Sequence, residues 1–377
     1  MNTETDIHFM SLALDLAEKG RGSVSPNPMV GAVIVRNGEI VGKGYHQKAG
    51  TGHAEIIALE EAGDRARGAT LYVTMEPCCH YGKTPPCTDA IIERGISRVV
   101  SSMTDINPLV NGCGFAKLHT NNVENVVGIL EDRAKKLNEA YIKFIQTKLP
   151  FVTLKLATTL DSKIAAPDGK SKWITGSEAR KRVHVLRSWS DAVMIGRGTL
   201  LADDPLLTVR DAEGSDPIRV IVDSTLKIPE NAKVLSNALK NEGSTGEKDK
   251  AGSNVVIAAA GNVDRKKQSR LNALGAEVWE FESSDGLVPL KQLLNRLGEN
   301  NVTSVLCEGG STLASSLLKE KLIDKIIFNV APKLLGCGFD AVKDLNIDNL
   351  DSAICLKNID VETLGDDVII TGYPEYS

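Results

Sequence analysis

The hydrophobic pattern of this chain runs through one α/β series, halts at Gln146-Thr147-Lys148-Leu149-Pro150, and starts a second. Proline lacks the amide proton a helix interior needs and clashes with the preceding turn, so a helix must stop before Pro150. The chain has 377 residues, more than one hydrophobic core usually organises. Two domains, residues 1–147 and 148–377, are the natural division.

In the first series, Phe9, Leu12, Ala13, Leu16 and Ala17 fall on one helical face. Residues 30–35 and 40–45 read as strands around Asn37-Gly38, a pair suited to a hairpin turn with positive φ at both positions. A helix over 53–61, a strand over 69–75, a helix over 88–94, a strand over 98–103 and one helix over 131–145 follow. The second series has strands at 151–156, 192–195, 218–222, 255–260 and 304–307. Helices fall at 177–189, with Ser177 as N-cap, and at 313–319. Such alternation predicts an α/β fold with a mostly parallel sheet. Residues 237–253 are rich in Lys, Glu, Gly and Ser and read as an exposed, mobile loop inside the second domain.

Composition narrows the partners. The net charge is −5, and no Lys/Arg run is interleaved with aromatics, which argues against nucleic acid. Seven cysteines at low density make no disulfide framework. The N-terminus is acidic, without a signal-peptide pattern, and no apolar run approaches the roughly 18 residues of a spanning helix. A cytoplasmic protein without a membrane partner is expected; the sequence leaves a homo-oligomer open.

The chemistry concentrates at His53-Ala54-Glu55, followed by Glu76-Pro77-Cys78-Cys79 and by Cys87. An imidazole, a carboxylate two residues on, and thiols after a proline form the donor set of a zinc-dependent deaminase. His and two thiolates would hold Zn²⁺ and leave a fourth position for water, whose pKa the metal lowers to about 7. Glu55 would move protons rather than bind metal. The usual Pro-Cys-x-x-Cys spacing is not met, because position 81 is Tyr81. Cys78, Cys79, His80 and Cys87 all compete to complete the site. Cys78 follows the proline and is expected to open a helix, whose dipole favours the thiolate. Cys78 and Cys79 point different ways in a strand or a helix, so they are not expected to share one ion. A purely structural zinc would want four protein ligands and would leave Glu55 without a task.

In the second series two glycine turns follow strands. Gly196-Arg197-Gly198-Thr199 lacks the third glycine of a dinucleotide fingerprint, Leu201 standing in its place. Glu308-Gly309-Gly310-Ser311-Thr312 opens a helix whose free amides suit a phosphate. Each turn alone is equally well explained by backbone geometry; two in one domain favour a nucleotide. Lys155 interrupts an apolar strand and needs a partner or an outward face, and Glu308 is a candidate partner. Asp203-Asp204-Pro205 reads as a turn or as a second acidic cluster.

Further strings complete a pattern: Asn27-Pro28, Gly52-His53-Ala54-Glu55, Thr84-Pro85-Pro86-Cys87, Leu160-Asp161, Trp173-Ile174-Thr175, Leu201-Ala202-Asp203-Asp204-Pro205 and Ala331-Pro332-Lys333-Leu334-Leu335-Gly336. Over nearly its whole length the chain resembles the bifunctional riboflavin-biosynthesis enzymes, a pyrimidine deaminase fused to a reductase. The resemblance implies a cytidine-deaminase-like three-layer N-terminal domain and a dihydrofolate-reductase-like C-terminal domain. It implies one Zn²⁺ on His53, Cys78 and Cys87, with Glu55 catalytic. The substrate would be 2,5-diamino-6-ribosylamino-4(3H)-pyrimidinone 5′-phosphate, first deaminated and then reduced from ribosyl to ribityl with NADPH. Matching positions imply catalytic roles for Lys155 and Asp203. They imply cofactor contacts at Ala157, Trp173, Thr199, Asp203, Ser224 and along Gly310, Ser311, Thr312, Leu313, Ala314, Ser315 and Ser316. Substrate contacts fall at Asn27, Ser171, Arg187, Leu207, Arg210 and Glu308, with Arg187 and Arg210 suited to a phosphate. Asp223 at a strand end points instead toward NADH, through a ribose hydroxyl; here the resemblance is followed. A nucleoside or tRNA deaminase with an unrelated second domain, and a non-catalytic zinc-stabilised regulator, are the competing readings.

Overall fold

The structure is a computed structural model that describes residues 3–81, 85–236, 238 and 254–376. The loop expected over 237–253 lies, Ala238 apart, outside the described residues. The chain forms two compact units, Met1–Lys148 and Leu149–Ser377.

The first unit runs α1 (Thr3–Glu18), β1 (Gly31–Arg36), β2 (Glu39–Tyr45), α2 (Ala54–Ala62), β3 (Thr70–Val73), α3 (Cys87–Glu93), β4 (Arg98–Ser101), α4 (Cys113–Thr120), β5 (Glu124–Val127), α5 (Glu131–Leu137) and α6 (Glu139–Thr147). Its sheet has the order β2-β1-β3-β4-β5. β1 pairs antiparallel with β2 and β3, while β3, β4 and β5 are parallel. Asn37 (φ 52°) and Gly38 (φ 83°) make the β1–β2 turn, as the dipeptide demands. Side chains alternate across the sheet. Ala32, Ile34, Leu71, Val73 and Val99 pack with α2, α3 and α4, while Val33, Val35, Tyr72 and Val100 pack with α1, α5 and α6. The result is three layers with helices on both faces. Helix α2 lies hard against β2, since a Cβ on Gly44 would come within 2.5 Å of the Ala54 carbonyl. Only glycine admits that approach, and it fixes where α2 begins.

The single helix expected over 131–145 is two helices broken at Asn138 (φ −104°, ψ 21°). At the break the Asn138 side chain turns to the backbone of Met29, while its Nδ2 also reaches the Ala134 carbonyl at 3.5 Å.

The second unit runs β6 (Phe151–Thr159), β7 (Lys163–Ala165), α7 (Ser177–Trp189), β8 (Ala192–Gly196), α8 (Arg197–Asp203), β9 (Ile218–Val222), β10 (Val255–Ala260), α9 (Arg265–Ala273), β11 (Glu277–Phe281), α10 (Leu290–Glu299), β12 (Ser304–Cys307), α11 (Ser311–Lys319), β13 (Lys325–Ala331), β14 (Phe339–Asp340), β15 (Cys355–Leu364) and β16 (Asp367–Glu375). Nine strands form one sheet in the order β11-β10-β9-β8-β12-β6-β13-β16-β15. It is parallel from β11 to β13, and the closing β16 and β15 are antiparallel. Strands buried on both faces need continuous apolar runs, as in Val255–Ala260. Ser177 is the first helical residue of α7, and Gly176 is the cap, its amide held by Asp367 Oδ2 at 2.6 Å.

Candidate active sites

In the first unit, His53 is the N-cap of α2 and Glu55 lies in that helix's first turn. Cys87 is the first residue of α3, entered through Pro86. Cys78 does not open a helix, contrary to expectation. It lies in irregular chain after β3, because the helix waits for Pro86 eight residues later. It still receives a helix amide, since Cys87 N donates to Cys78 Sγ at 3.3 Å.

His53 Nδ1 lies 3.2 Å from Cys87 Sγ and 3.5 Å from Cys78 Sγ. All three donor atoms lie within 4.8 Å of one another. Zn–N and Zn–S bonds of about 2.1 and 2.3 Å in a tetrahedron give donor separations of about 3.6 Å, so the cluster fits zinc. Among the described residues it is the one such group, and Glu55, Cys79 and His80 stand outside it. Cys79 Sγ turns toward the Leu109 carbonyl, 3.9 Å away.

The charges agree with a cation site. The thiol of Cys87 beside it, and then His53, hold Cys78 down at about 4. Contact with Cys78 lifts His53 to about 9. Cys87 is pushed up by the neighbouring Cys78 thiolate and by burial. Burial and the Cys78 charge raise Glu55 to about 7. A divalent cation would displace the thiol and imidazole protons.

Around the cluster stand residues the motif does not reveal. Asn27 Nδ2 lies 3.1 Å from His46 Nε2, and His46 Nδ1 lies 3.2 Å from the Gly52 carbonyl. A carbonyl only accepts, so Nδ1 carries the proton and Nε2 accepts from Asn27. Burial also keeps His46 neutral by lowering its pKa. Its ring meets that of His53 edge-on at 5.7 Å. Glu76, two residues before Cys78, is buried and accepts from the amides of Asp105, Gly112, Gly114 and Phe115 at 2.9–3.3 Å. It thus fastens the 105–115 segment to the metal turn. Gly114 is obligatory there, because a Cβ would come within 2.2 Å of the Pro77 carbonyl. His46 at a strand end before His53-Ala54-Glu55, and Glu76 inside the Pro-Cys string, were the available sequence signals.

In the second unit the carboxyl ends of the parallel strands border a cleft of about 1590 Å³. A single small-molecule pocket is about 300–1,000 Å³, so this one has room for two molecules. Lys155, Ala157, Ser171, Trp173, Arg187, Thr199, Asp203, Leu207, Arg210, Ser224 and Glu308 all line it, as do Gly310, Ser311, Thr312, Leu313 and Ser316. Ala314 and Ser315 do not. Both are buried in α11, and Ser315 Oγ accepts from Lys343 N at 2.8 Å.

The two glycine turns are joined: Thr199 Oγ1 accepts from Gly310 N at 2.8 Å. Ser171 Oγ donates to Asp203 Oδ1 at 2.6 Å. The Lys155–Glu308 pairing expected from the sequence is replaced, because Arg187 takes Glu308 through Nε (2.6 Å) and Nη2 (2.9 Å). Burial alone would raise Glu308, but the Arg187 charge overrides it and holds the carboxyl below its usual range. Lys155 has no ion pair among the described residues, and burial first, then Arg187, lowers its pKa. Arg187 Nη1 donates to the Thr208 carbonyl, and His184 Nδ1 lies 3.1 Å from the same oxygen and 3.3 Å from Arg210 N, which anchors the turn bearing Leu207 and Arg210. The Asp223 side chain is buried at the cleft wall, where it accepts from Ile228 N, Thr225 and Arg197 and so braces its own turn.

A zinc-binding cytidine-deaminase-like domain followed by a dihydrofolate-reductase-like domain is the class that these two sites define. Residues 3–103 match the cytidine and deoxycytidylate deaminase zinc-binding region, and residues 150–370 match the RibD C-terminal domain. The riboflavin biosynthesis protein RibD of Aquifex aeolicus is 43% identical over 371 residues, 98% of this chain and 99% of that protein. RibD of Escherichia coli is 37% identical, covering 97% and 98%. Among solved structures, Acinetobacter baumannii RibD superposes with a TM-score of 0.86 at 38% identity, covering 99% of this chain and 100% of that one. The Thermotoga maritima diaminohydroxyphosphoribosylaminopyrimidine deaminase/5-amino-6-(5-phosphoribosylamino)uracil reductase gives 0.83 at 36% identity, covering 99% of each chain. The chain belongs to the RibD family of riboflavin biosynthesis proteins.

Proposed function

We propose that the two sites act in turn on one phosphorylated pyrimidine. The first hydrolyses 2,5-diamino-6-ribosylamino-4(3H)-pyrimidinone 5′-phosphate at its 2-amino group. The second reduces the ribosyl group to ribityl with NADPH. The observation that carries this reading is the His53/Cys78/Cys87 cluster with a buried carboxylate beside it, on a chain that also holds a separate cleft large enough for a dinucleotide and a substrate.

Zn²⁺ on His53, Cys78 and Cys87 supplies a Lewis acid that makes a water nucleophile available near neutral pH. Glu55 takes a proton from the attacking water and delivers protons to the ring nitrogen and the departing amine. One water enters and one ammonia leaves. Asn27 uses its Nδ2 on His46, so its Oδ1, which accepts nothing among the described residues, holds the pyrimidine.

NADPH, when bound, supplies the hydride for the second step. The Thr199 hydroxyl accepts from Gly310 and keeps its own proton for a phosphate oxygen. Ala157, Trp173, Asp203, Ser224 and the start of α11 line the rest of the groove. Arg197 lies in the cleft with its side chain 38% exposed, beside the buried Asp223. An arginine there suits a 2′-phosphate and supports NADPH over NADH. Arg210 is the guanidinium left for the substrate phosphate, because Arg187 is engaged with Glu308 and Thr208. Lys155 polarises the sugar at the carbon that receives the hydride.

The same reading places the enzyme in a reducing cytoplasm, where seven free cysteines are stable. Among the described residues no helix is long and apolar enough to cross a membrane. A second copy of the chain is the natural cover for edge strand β15, whose Ile359 and Val361 are both 59% exposed.

The test is to incubate the purified chain with the pyrimidine phosphate, with and without NADPH, and identify the products. Ammonia and the ribosyl uracil are expected without NADPH, and the ribityl product with it. Absence of ammonia release by zinc-loaded protein overturns the reading.

A further inference from the structure

Asn138 lies outside the 3–103 region that carries the deaminase motif, yet it touches the loop that presents Asn27. It is the N-cap of α6, a position where asparagine normally turns its side chain to the helix's own free amides. Here the side chain makes no cap hydrogen bond. Its Oδ1 accepts from Met29 N at 2.8 Å, and its Nδ2 donates to the Met29 carbonyl at 3.0 Å. Both ends of the carboxamide thus bind one residue, 109 positions away in sequence, and Nδ2 adds only a longer 3.5 Å contact to the Ala134 carbonyl of α5. Asn138 is 1% exposed, so these bonds form out of water. The helix pays with a break and an empty cap. A residue that forgoes its local preference is held by a requirement elsewhere.

That requirement lies two residues before Met29. Asn27 is joined to Met29 through Pro28, which restricts its backbone. The other side of the segment is tied down as well, since His46 N donates to the Val30 carbonyl at 2.9 Å. Asn27 in turn meets the His46 ring, which stands against His53. Met29 is thus the anchor from which the Asn27 side chain reaches the metal cluster's neighbour.

We propose that Asn138 is a positioning residue for pyrimidine binding: it sets the place of Asn27 by clamping Met29. The inference rests on the deaminase reading above and assigns a task to the α5–α6 break. An aligned hydrogen-bond acceptor binds ground and transition states alike, so its displacement raises KM and leaves kcat nearly unchanged.

The experiment uses the full-length, zinc-loaded chain and steady-state ammonia release. Asn138→Ser is the informative variant. Serine is a good N-cap and preserves the helix start, but it is too short to grip Met29. The expected result is a rise in KM of about tenfold, the scale of one lost binding interaction, with kcat within about twofold. Zinc content and NADPH-dependent reduction of supplied deaminated intermediate should stay as in the parent. Asn27→Ala should raise KM similarly, and adding Asn138→Ser to it should change KM little, because both act through one contact. A parent-like KM for Asn138→Ser, a fall in kcat alone, or additive effects in the double variant each overturn the inference while the deaminase reading stands. A parent chain that releases no ammonia overturns the reading itself. Should Asn138→Ser fail to fold, Asn138→Asp, which keeps the acceptor for Met29 N and loses the donor to the Met29 carbonyl, carries the same KM expectation and the same overturning result.

Discussion

Arg187 and Glu308 are joined at two points, Nε to Oε1 at 2.6 Å and Nη2 to Oε2 at 2.9 Å, at the edge of the reductase cleft. Their side chains are only 10% and 12% exposed. Arg187→Met should leave a buried carboxylate without its partner, a loss of roughly 3–5 kcal/mol. Arg187→Lys should fail to restore it, since an ammonium cannot make the paired fork. Thermal unfolding and NADPH oxidation report the change. Reduction falling with no loss of stability would mean that Arg187 serves the substrate and not Glu308.

Glu55→Gln should fold, hold one zinc, and lose deamination by at least roughly 10²–10⁴-fold, the usual contribution of a general acid/base. The carboxylate stands beside the donor cluster without belonging to it. Metal analysis of the variant checks the point; departure of zinc would make Glu55 a ligand.

Cys87→Ala should lose zinc, and Cys79→Ala should keep it. Cys87 Sγ lies 3.2 Å from His53 Nδ1, while Cys79 faces the Leu109 carbonyl. The opposite pattern of metal retention would exchange their roles.

Acid should weaken the first unit through Asp6. Arg98 holds this buried carboxyl through two 2.9 Å hydrogen bonds, which lower its pKa below the ordinary value. An unfolded aspartate titrates near about 3.9. Between the two values the unfolded chain binds more protons, so the stabilisation is full above about pH 5 and is lost as pH falls through the folded value. Parent minus Asp6→Asn unfolding free energy, measured against pH, should be flat above that point and shrink below it. A difference that does not change on acidification rules out the ion pair as its source.

The activities should separate. Fragments 1–147 and 148–377 each correspond to an α/β series with its own core. The first is expected to deaminate with zinc, and the second to reduce supplied deaminated intermediate without metal. On the intact chain, a chelator should stop ammonia release and spare reduction, and Lys155→Ala should do the reverse. Chelation that stops reduction while circular dichroism is unchanged defeats the idea.

The five apolar strands read in the second series and the His53, Glu55 and Cys78 part of the metal site were legible because each obeys a local rule, whereas the outer strands β11, β13, β15 and β16 were not read and the choice of Cys87 over Cys79 and His80 came from the family resemblance. Parallel strands must be apolar on both faces, as at Val255–Ala260, and a zinc-dependent hydrolase needs His53, Glu55 and thiols in fixed order. Long-range backbone partners were not legible. No periodicity says that Asn138 will find Met29, that Glu76 will collect four amides of the 105–115 segment, or that Asp223 will brace its own turn. Cys78 was misplaced for a related reason: the helix start is set by Pro86, downstream of the string that carries the thiol. Lys155 was recognised as unusual from its strand, but the competition of Arg187 for Glu308 is a fact of three dimensions.

The hydrogen bond from Gly310 N to Thr199 Oγ1 makes the two glycine turns a single mechanical part, although 111 residues separate them in the chain. Anyone transplanting cofactor preference from a relative would have to carry both turns together. A graft of the β8–α8 turn that omits the threonine would strip the α11 turn of its tie, and one that moves Gly310 would unseat Thr199. The unit of exchange in this domain is therefore a pair of distant segments, and recombination points placed between them in sequence should yield chimaeras with weakened cofactor binding.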